Sequence, residues 1–446
     1  MAGEGARSSS GNGATAGVGA SSDDLLLQAI NSGQVGWETG RTLVTFNAGA
    51  TGAGVQELEA SGLNVADAND VNYVGVSALD NSDALVFKEI GVALVTADVV
   101  QSLDVTGQGA VAVHEPELFT FPADSYLEGY QHGQAATAGS GLGEYFRGFL
   151  GAATAIRNDI AGSDLPTGEE EDAEALLNAT WGLIACRVPS STFSGAGIKV
   201  AVLDTGLDLT HPDCFAARIG GQKSFVVGQE VQDLHGHGTH CIGTACGPKS
   251  PPAPTPRYGI AYESSIFVGK VLSNTGSGTQ AQVLAGMNWA IAAGCEVISM
   301  SLGSVAPVNA AYTAAGRAAL DRGCLIVAAA GNSAPHPTGS PANSPTIMSV
   351  ASLDSDLGLS SFVQRGKIEI AGPGRDVFSS VPMPVRYGTK SGTSMATPHV
   401  AGCAALWAQT SPNLRAQSLW RKLQETARGL PLPASQAGAG LVQAPQ

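Results

Sequence analysis

Ile198-Lys-Val-Ala-Val-Leu-Asp-Thr-Gly206 reads as an apolar strand closed by a carboxylate and a turn. Three further apolar runs follow, at Ser265 to Leu272, Glu296 to Ser301 and Cys324 to Ala330, with helical stretches at Ala281 to Ala293 and Asn309 to Asp321 between them. Strands without a polar face, separated by helices, predict a parallel sheet covered on both sides. Reactive groups in such an α/β sheet gather beyond the carboxyl ends of its strands.

Asp204 stands at one such end, and a buried carboxylate there needs a partner. His237 lies in His235-Gly-His-Gly-Thr-His-Cys241, ahead of a helical run, and Asn332 follows Ala328-Ala-Ala-Gly331 at another strand end. Ser394 belongs to Gly392-Thr-Ser-Met-Ala-Thr-Pro-His399, where a glycine turn runs into helix formers. The N–H groups of a helix's first turn lack intrahelical partners and suit a developing anion, so a serine placed there is either a nucleophile or a plain cap. The four residues together suit acyl transfer. His237 would take the proton of Ser394, Asp204 would orient the imidazole, and the Asn332 amide with the Ser394 N–H would receive the oxyanion.

Two rival chemistries fit less well. His235, His237, His240, Cys241 and Cys246 form a metal-like cluster, but their spacing matches no zinc pattern. The chain order Asp, His, Ser and the absence of G-x-S-x-G around Ser394 exclude an α/β-hydrolase.

Asp204-Thr-Gly206, His237-Gly-Thr-His240, Ala330-Gly-Asn332 and Gly392 to His399 resemble the four defining motifs of the subtilisin-like serine proteases. The likeness runs from about Asn178 to Gln446, with Gly440 to Ala444 similar to the family's last strand. It implies a three-layer α/β fold with a mostly parallel central sheet, and a serine endopeptidase that needs no cofactor for its chemistry. Gly276, Ser277 and Gly278, with Ser301, Leu302 and Gly303, match the segments that hold a peptide substrate as an added strand. Ala328, Ala329, Ala330, Gly331 and Gly339 match the walls of the pocket before the cut, and their small side chains imply a large apolar or aromatic residue there. Cys241 resembles the free thiol of the proteinase K branch. Asp213 matches one ligand of a family calcium site, yet the loop from Pro248 to Tyr258 has no Asn or Asp, so structural calcium is the one metal the resemblance would add and its ligand set is incomplete. The same fold without activity, acting as a binding protein, and an esterase or peptide ligase on the same site are the alternatives.

At 446 residues the chain predicts two or three units. Residues 1–35 form a Gly/Ser/Ala-rich arm expected to be disordered. Residues 36–121 read as strand–helix–strand–strand–helix–strand, the order of the family's inhibitor propeptide, whose end, Glu117 to Phe121, would enter the active-site cleft. Residues 122–178 read as a cleavable linker with one amphipathic helix at Gly143 to Ile160, and 179–446 as the catalytic domain. The partners implied are a protein or peptide substrate and the chain's own prodomain. A net charge of −15 without a basic cluster argues against nucleic acid and anionic membranes, and no apolar run is long enough to span a bilayer. Seven cysteines, several inside apolar segments, and no readable secretory signal point to the cytoplasm, with export by an unusual route as the alternative.

Overall fold

The computed structural model describes residues 17–31, 38–73, 82–96, 109–123, 178–213 and 215–446. Helix α1 (Ser22–Asn31) precedes a small sheet made of β1 (Glu38–Phe46), β2 (Val65–Asp67), β3 (Ala84–Phe87), β4 (Val92–Thr96) and β5 (Val111–Pro122), with α2 (Thr51–Ala60) against it. The arm expected to be disordered therefore contains a helix. Its composition hides this, because Leu25 and Val18 are buried against the rest of the molecule and a ten-residue helix depends on such packing. The second helix of the strand–helix–strand–strand–helix–strand reading, whose sequence range is Asp98 to Leu103, and the helix expected at Gly143 to Ile160 lie outside the described residues.

From Trp181 the elements are α3 (Trp181–Ala185), β6 (Lys199–Asp204), β7 (Ile219–Ser224), α4 (His237–Cys246), β8 (Ser265–Lys270), β9 (Gly278–Thr279), α5 (Gln280–Ala292), β10 (Val297–Met300), β11 (Leu302–Gly303), α6 (Ala310–Asp321) and β12 (Leu325–Ala329). There follow β13 (Met348–Leu353), β14 (Ile370–Pro373), β15 (Val377–Ser380), β16 (Tyr387–Lys390), α7 (Thr393–Thr410), α8 (Ala416–Thr426) and α9 (Ala434–Ala437). Seven strands form the central sheet in the order β14-β13-β12-β10-β6-β8-β7, and every ladder between them is parallel. Gly440 to Ala444 contributes only single bridges from Leu441 to Ala371 and Arg428.

Alternation along β6 splits the core in two. Val200 and Val202 pack with Ile242, Ala245, Val400 and Ala401 of α4 and α7, whereas Ala201 and Leu203 pack with Leu284, Met287 and Ala315 of α5 and α6. The resulting three layers put the start of α4 and of α7 at the carboxyl edge of the sheet. The small sheet adds a fourth body. Its Val44, Val86 and Val95 close on Leu58 of α2, while its Leu43, Leu85 and Leu94 join the core around α5 and α6.

Strand β5 belongs to both units. The last strand of the strand–helix–strand–strand–helix–strand reading, legible at Ala110 to Val113, runs on to Pro122 because its two halves have different partners. Residues 111–118 pair with β1, after which Phe119 and Thr120 pair with Thr279 and Gly278, and Phe121 and Pro122 with Gly303 and Leu302. All these ladders are antiparallel. Among the described residues no helix is long and apolar enough to cross a membrane.

Candidate active site

Asp204 ends β6, and His237 begins α4 just past Gly236, which has φ 95°. His237 Nδ1 lies 2.7 Å from Asp204 Oδ1, which also accepts the Thr205 N–H at 2.7 Å; both side chains are essentially sealed from solvent. The ring N–H donates to the carboxylate, which leaves Nε2 as the basic nitrogen.

Asp233, which the sequence reading missed, builds the loop that carries His237. Its Oδ1 accepts from the backbone N–H groups of His235 and Gly236 and from Thr205 Oγ1, and its Oδ2 from the N–H and hydroxyl of Thr239. Burial acts to raise its pKa, but these hydrogen bonds outweigh burial and hold the carboxyl below its ordinary value. An Asp just before a glycine turn and a helix was the available signal.

Ser394 occupies the first turn of α7. Pro398, four residues on, has no N–H to offer the Ser394 carbonyl, and that oxygen accepts instead from Ser301 Oγ at 2.7 Å and from Cys241 Sγ at 3.6 Å. Cys241 Sγ also lies 3.9 Å from His237 Nδ1, so one buried thiol touches both the serine's backbone and the imidazole. The Ser394 hydroxyl donates to the Ser301 carbonyl at 3.1 Å.

Asn332 is aimed by its neighbour Thr393. Its Oδ1 accepts the Thr393 N–H at 2.9 Å and hydroxyl at 3.0 Å, which turns Nδ2 toward the carbonyl of Ala123 at 2.5 Å. The Ala123 N–H donates to the Ser301 carbonyl at 3.1 Å. Thus the end of β5 lies between Gly278–Thr279 and Leu302–Gly303 with one carbonyl held by an amide.

The expected substrate-binding residues fall on both sides of this strand. Gly276 has φ +84°, and a Cβ there would meet His235 Nε2 at 3.0 Å, so glycine is required. Ser277 is buried beside it. Ala329, Ala330, Gly331 and Gly339 line a cavity of about 540 Å³ next to Ala123, together with Val305, Ser340 and Gln364. Ala328 does not line it. Strand alternation turns Ala328 to the opposite face, into the core with Ile298 and Ile326.

The metal readings do not hold. Ligand atoms of Asp204, His237 and Cys241 lie within 4.8 Å of one another, but His237 Nδ1 is engaged by Asp204, and burial pushes the Cys241 thiol up to about 11. His240 Nε2 faces the Val377 carbonyl at 2.9 Å. Asp213 does not fit calcium either, because its Oδ2 accepts the Tyr258 hydroxyl and its Oδ1 the Tyr387 hydroxyl at 2.7 Å. Burial first, then the Asp213 contact, raises both phenols, Tyr387 to about 12, so they remain donors. Tyr258 comes from the loop that lacks Asn and Asp, and its phenol replaces a cation as the partner of Asp213.

His399, in the serine motif, plays a structural part. It is 1 % exposed, its Nδ1–H donates to the Met395 carbonyl at 2.8 Å, and burial lowers its pKa from 6.5 to about 4. Between those values the unfolded chain binds the proton and the folded chain does not. Stability is therefore expected to fall as pH drops from about 6.5 to 4, by about 3 kcal/mol from this residue. Thermal midpoints at pH 7 and 4.5, compared for Ser394→Ala with and without His399→Gln, check this; an equal acid loss in both chains would refute it.

A parallel sheet that gathers a carboxylate-held histidine, a helix-borne serine and an aimed amide at one edge defines a serine hydrolase. Residues 195–440 match a family described as the Subtilase family. The chain is 39 % identical over 283 residues to M-protease from Shouchella clausii (strain KSM-K16), covering 62 % of this chain and 72 % of that protein. It is 38 % identical over 269 residues to Subtilisin Savinase from Lederbergia lenta, covering 59 % and 96 %. Over 282 residues it is 38 % identical to Alkaline elastase YaB from Bacillus sp. (strain YaB), covering 62 % and 72 %. The chain belongs to the subtilase family of serine endopeptidases.

Proposed function

We propose that this chain is a self-processing zymogen that cuts its own Ala123–Asp124 bond. In this reading Ser394 Oγ attacks the Ala123 carbonyl carbon while His237 Nε2 takes its proton. Rotation about the serine's χ1 carries the hydroxyl from the Ser301 carbonyl to the imidazole. Asp204 stabilises the imidazolium, and the Asn332 amide with the Ser394 N–H holds the oxyanion. His237 then returns the proton to the departing Asp124 nitrogen, leaving Ala123 as an ester on Ser394. Water, deprotonated by the same imidazole, attacks the ester carbon, and the imidazolium returns that proton to the departing Ser394 Oγ, releasing Ala123 as a carboxylic acid that ionises in solvent. Residues 38–123 remain as a bound inhibitor, and polypeptides are cut afterwards by the same route.

The observation that carries this reading is the Ala123 carbonyl held by Asn332 at the end of a strand paired on both cleft edges. Added-strand binding favours polypeptide over small esters. Alanine fills little of the 540 Å³ cavity, which supports a preference for larger apolar residues in other substrates. The chain's own bond needs no such anchor, because tethering supplies the proximity.

Intact mass of the purified wild-type chain tests the cut. Two fragments are expected, one ending at Ala123. A single uncut species, or a boundary displaced into residues 124–178, would overturn the assignment.

A further inference from the structure

Residues 17–31 precede the small sheet and pair with neither sheet. Asp23 nevertheless reaches the rim of the cleft. Its Oδ1 accepts from Ser273 Oγ at 2.8 Å, Thr275 Oγ1 at 2.8 Å and Ser277 Oγ at 2.5 Å, and its Oδ2 from Gln229 Nε2 at 3.3 Å. Gln229 Oε1 in turn accepts the Asn274 N–H at 2.9 Å, and Lys270 Nζ donates to Asn274 Oδ1 at 2.9 Å from beneath the loop. Three hydroxyls at alternate positions converging on one oxygen make a receptor for a carboxylate, since hydrogen bonds to an ionised acceptor are the strong ones. The same segment also holds the small sheet, because the Val18 carbonyl accepts from Arg41 Nη1 at 3.2 Å.

Ser273 to Ser277 is the turn that leads directly into β9, the strand on which Phe119 and Thr120 lie. Holding this turn holds one wall of the cleft.

We propose that Ser273, Thr275, Ser277 and Gln229 form a carboxylate-binding site on the cleft rim, that Asp23 is its ligand, and that this clasp closes the rim on β5 and retains the N-terminal unit after the cut. The retention rests on the processing proposed above; the closure of the rim does not. Burial acts to raise the Asp23 pKa, yet the hydroxyl hydrogen bonds hold it below the ordinary value, so the ligand is charged at neutral pH.

Hydrogen exchange of the full-length Ser394→Ala chain, with and without Asp23→Ala, tests the closure. Amides at 273–279 are expected to exchange about tenfold faster without the carboxylate, while those of β4 stay unchanged. Unchanged exchange at 273–279 overturns the clasp, and so does an equal acceleration in β4, which would mean general loosening. In the self-cutting chain, Asp23→Ala should shorten the lag before peptide hydrolysis about tenfold. An unchanged lag beside faster rim exchange overturns the retention. If the wild type is never cut, the processing reading fails while rim exchange still decides the clasp.

Discussion

A Ser394→Ala chain is expected to keep its full mass under conditions in which the wild type splits after Ala123. Its peptidase turnover should fall about 10⁶-fold, the magnitude known for subtilisin itself. The fold should survive, because the Ser394 side chain makes one hydrogen bond, to the Ser301 carbonyl, whose loss costs about 1 kcal/mol. The Cys241 thiol cannot substitute as nucleophile, since burial holds it protonated at neutral pH. Mass spectrometry and a peptide assay on the same preparation check both halves. Cutting after Ala123 that persists in the variant, in a sample free of other proteases, would place the nucleophile elsewhere.

Glu117→Gln is the second large effect. Glu117 receives Arg41 through Nε at 2.6 Å and Nη2 at 3.0 Å, Thr39 Oγ1 at 2.5 Å, and the Ala281 N–H at 3.0 Å. The last contact places its charge at the start of α5, where the helix dipole favours an anion. Glu115 does the same for α6 through the Ala310 N–H at 2.8 Å. The Arg41 and Glu117 side chains are 3 % and 0 % exposed, so removing the anion strands a buried cation. Such a loss costs about 3–5 kcal/mol, or about 10²–10⁴-fold in retention of the N-terminal unit after cutting. Size-exclusion chromatography of the cut protein at decreasing concentrations should show dissociation at correspondingly higher concentration in the variant. Identical dissociation in both proteins would remove this ion pair from the interface account.

Much of the catalytic half was legible because its demands are local. Each of Asp204, His237, Asn332 and Ser394 stands where an apolar strand or glycine turn meets a loop or helix, and its residue type limits its chemistry. The entry of Glu117 to Phe121 into the cleft was legible, but the unbroken run of β5 from the small sheet into it was not. Glu115, Pro116 and Glu117 interrupt its alternation, and the two carboxylates are explained only by partners far away in sequence, Ala310 for Glu115 and Arg41 and Ala281 for Glu117. The helix of residues 22–31 was hidden for the same reason, its Asp23 being satisfied some 250 residues downstream. Asp213 is the converse case: the incomplete calcium ligand set around it was legible, but the phenols of Tyr258 and Tyr387 that bond to it were not.

Because one backbone strand completes a sheet at one end and fills the cleft at the other, it works as a ruler. Ala123 lies six residues on from Glu117, which is fixed at the start of α5. At about 3.4 Å per residue the span is about 20 Å, and nothing in it can slip without breaking the Glu117 contacts. A slip of one would also put Pro122, which has no N–H, opposite the Ser301 carbonyl that now receives Ala123. In the proposed processing the bond to be cut would thus be chosen by measurement from a distant anchor, and its flanking side chains would be released from the selectivity expected for later substrates.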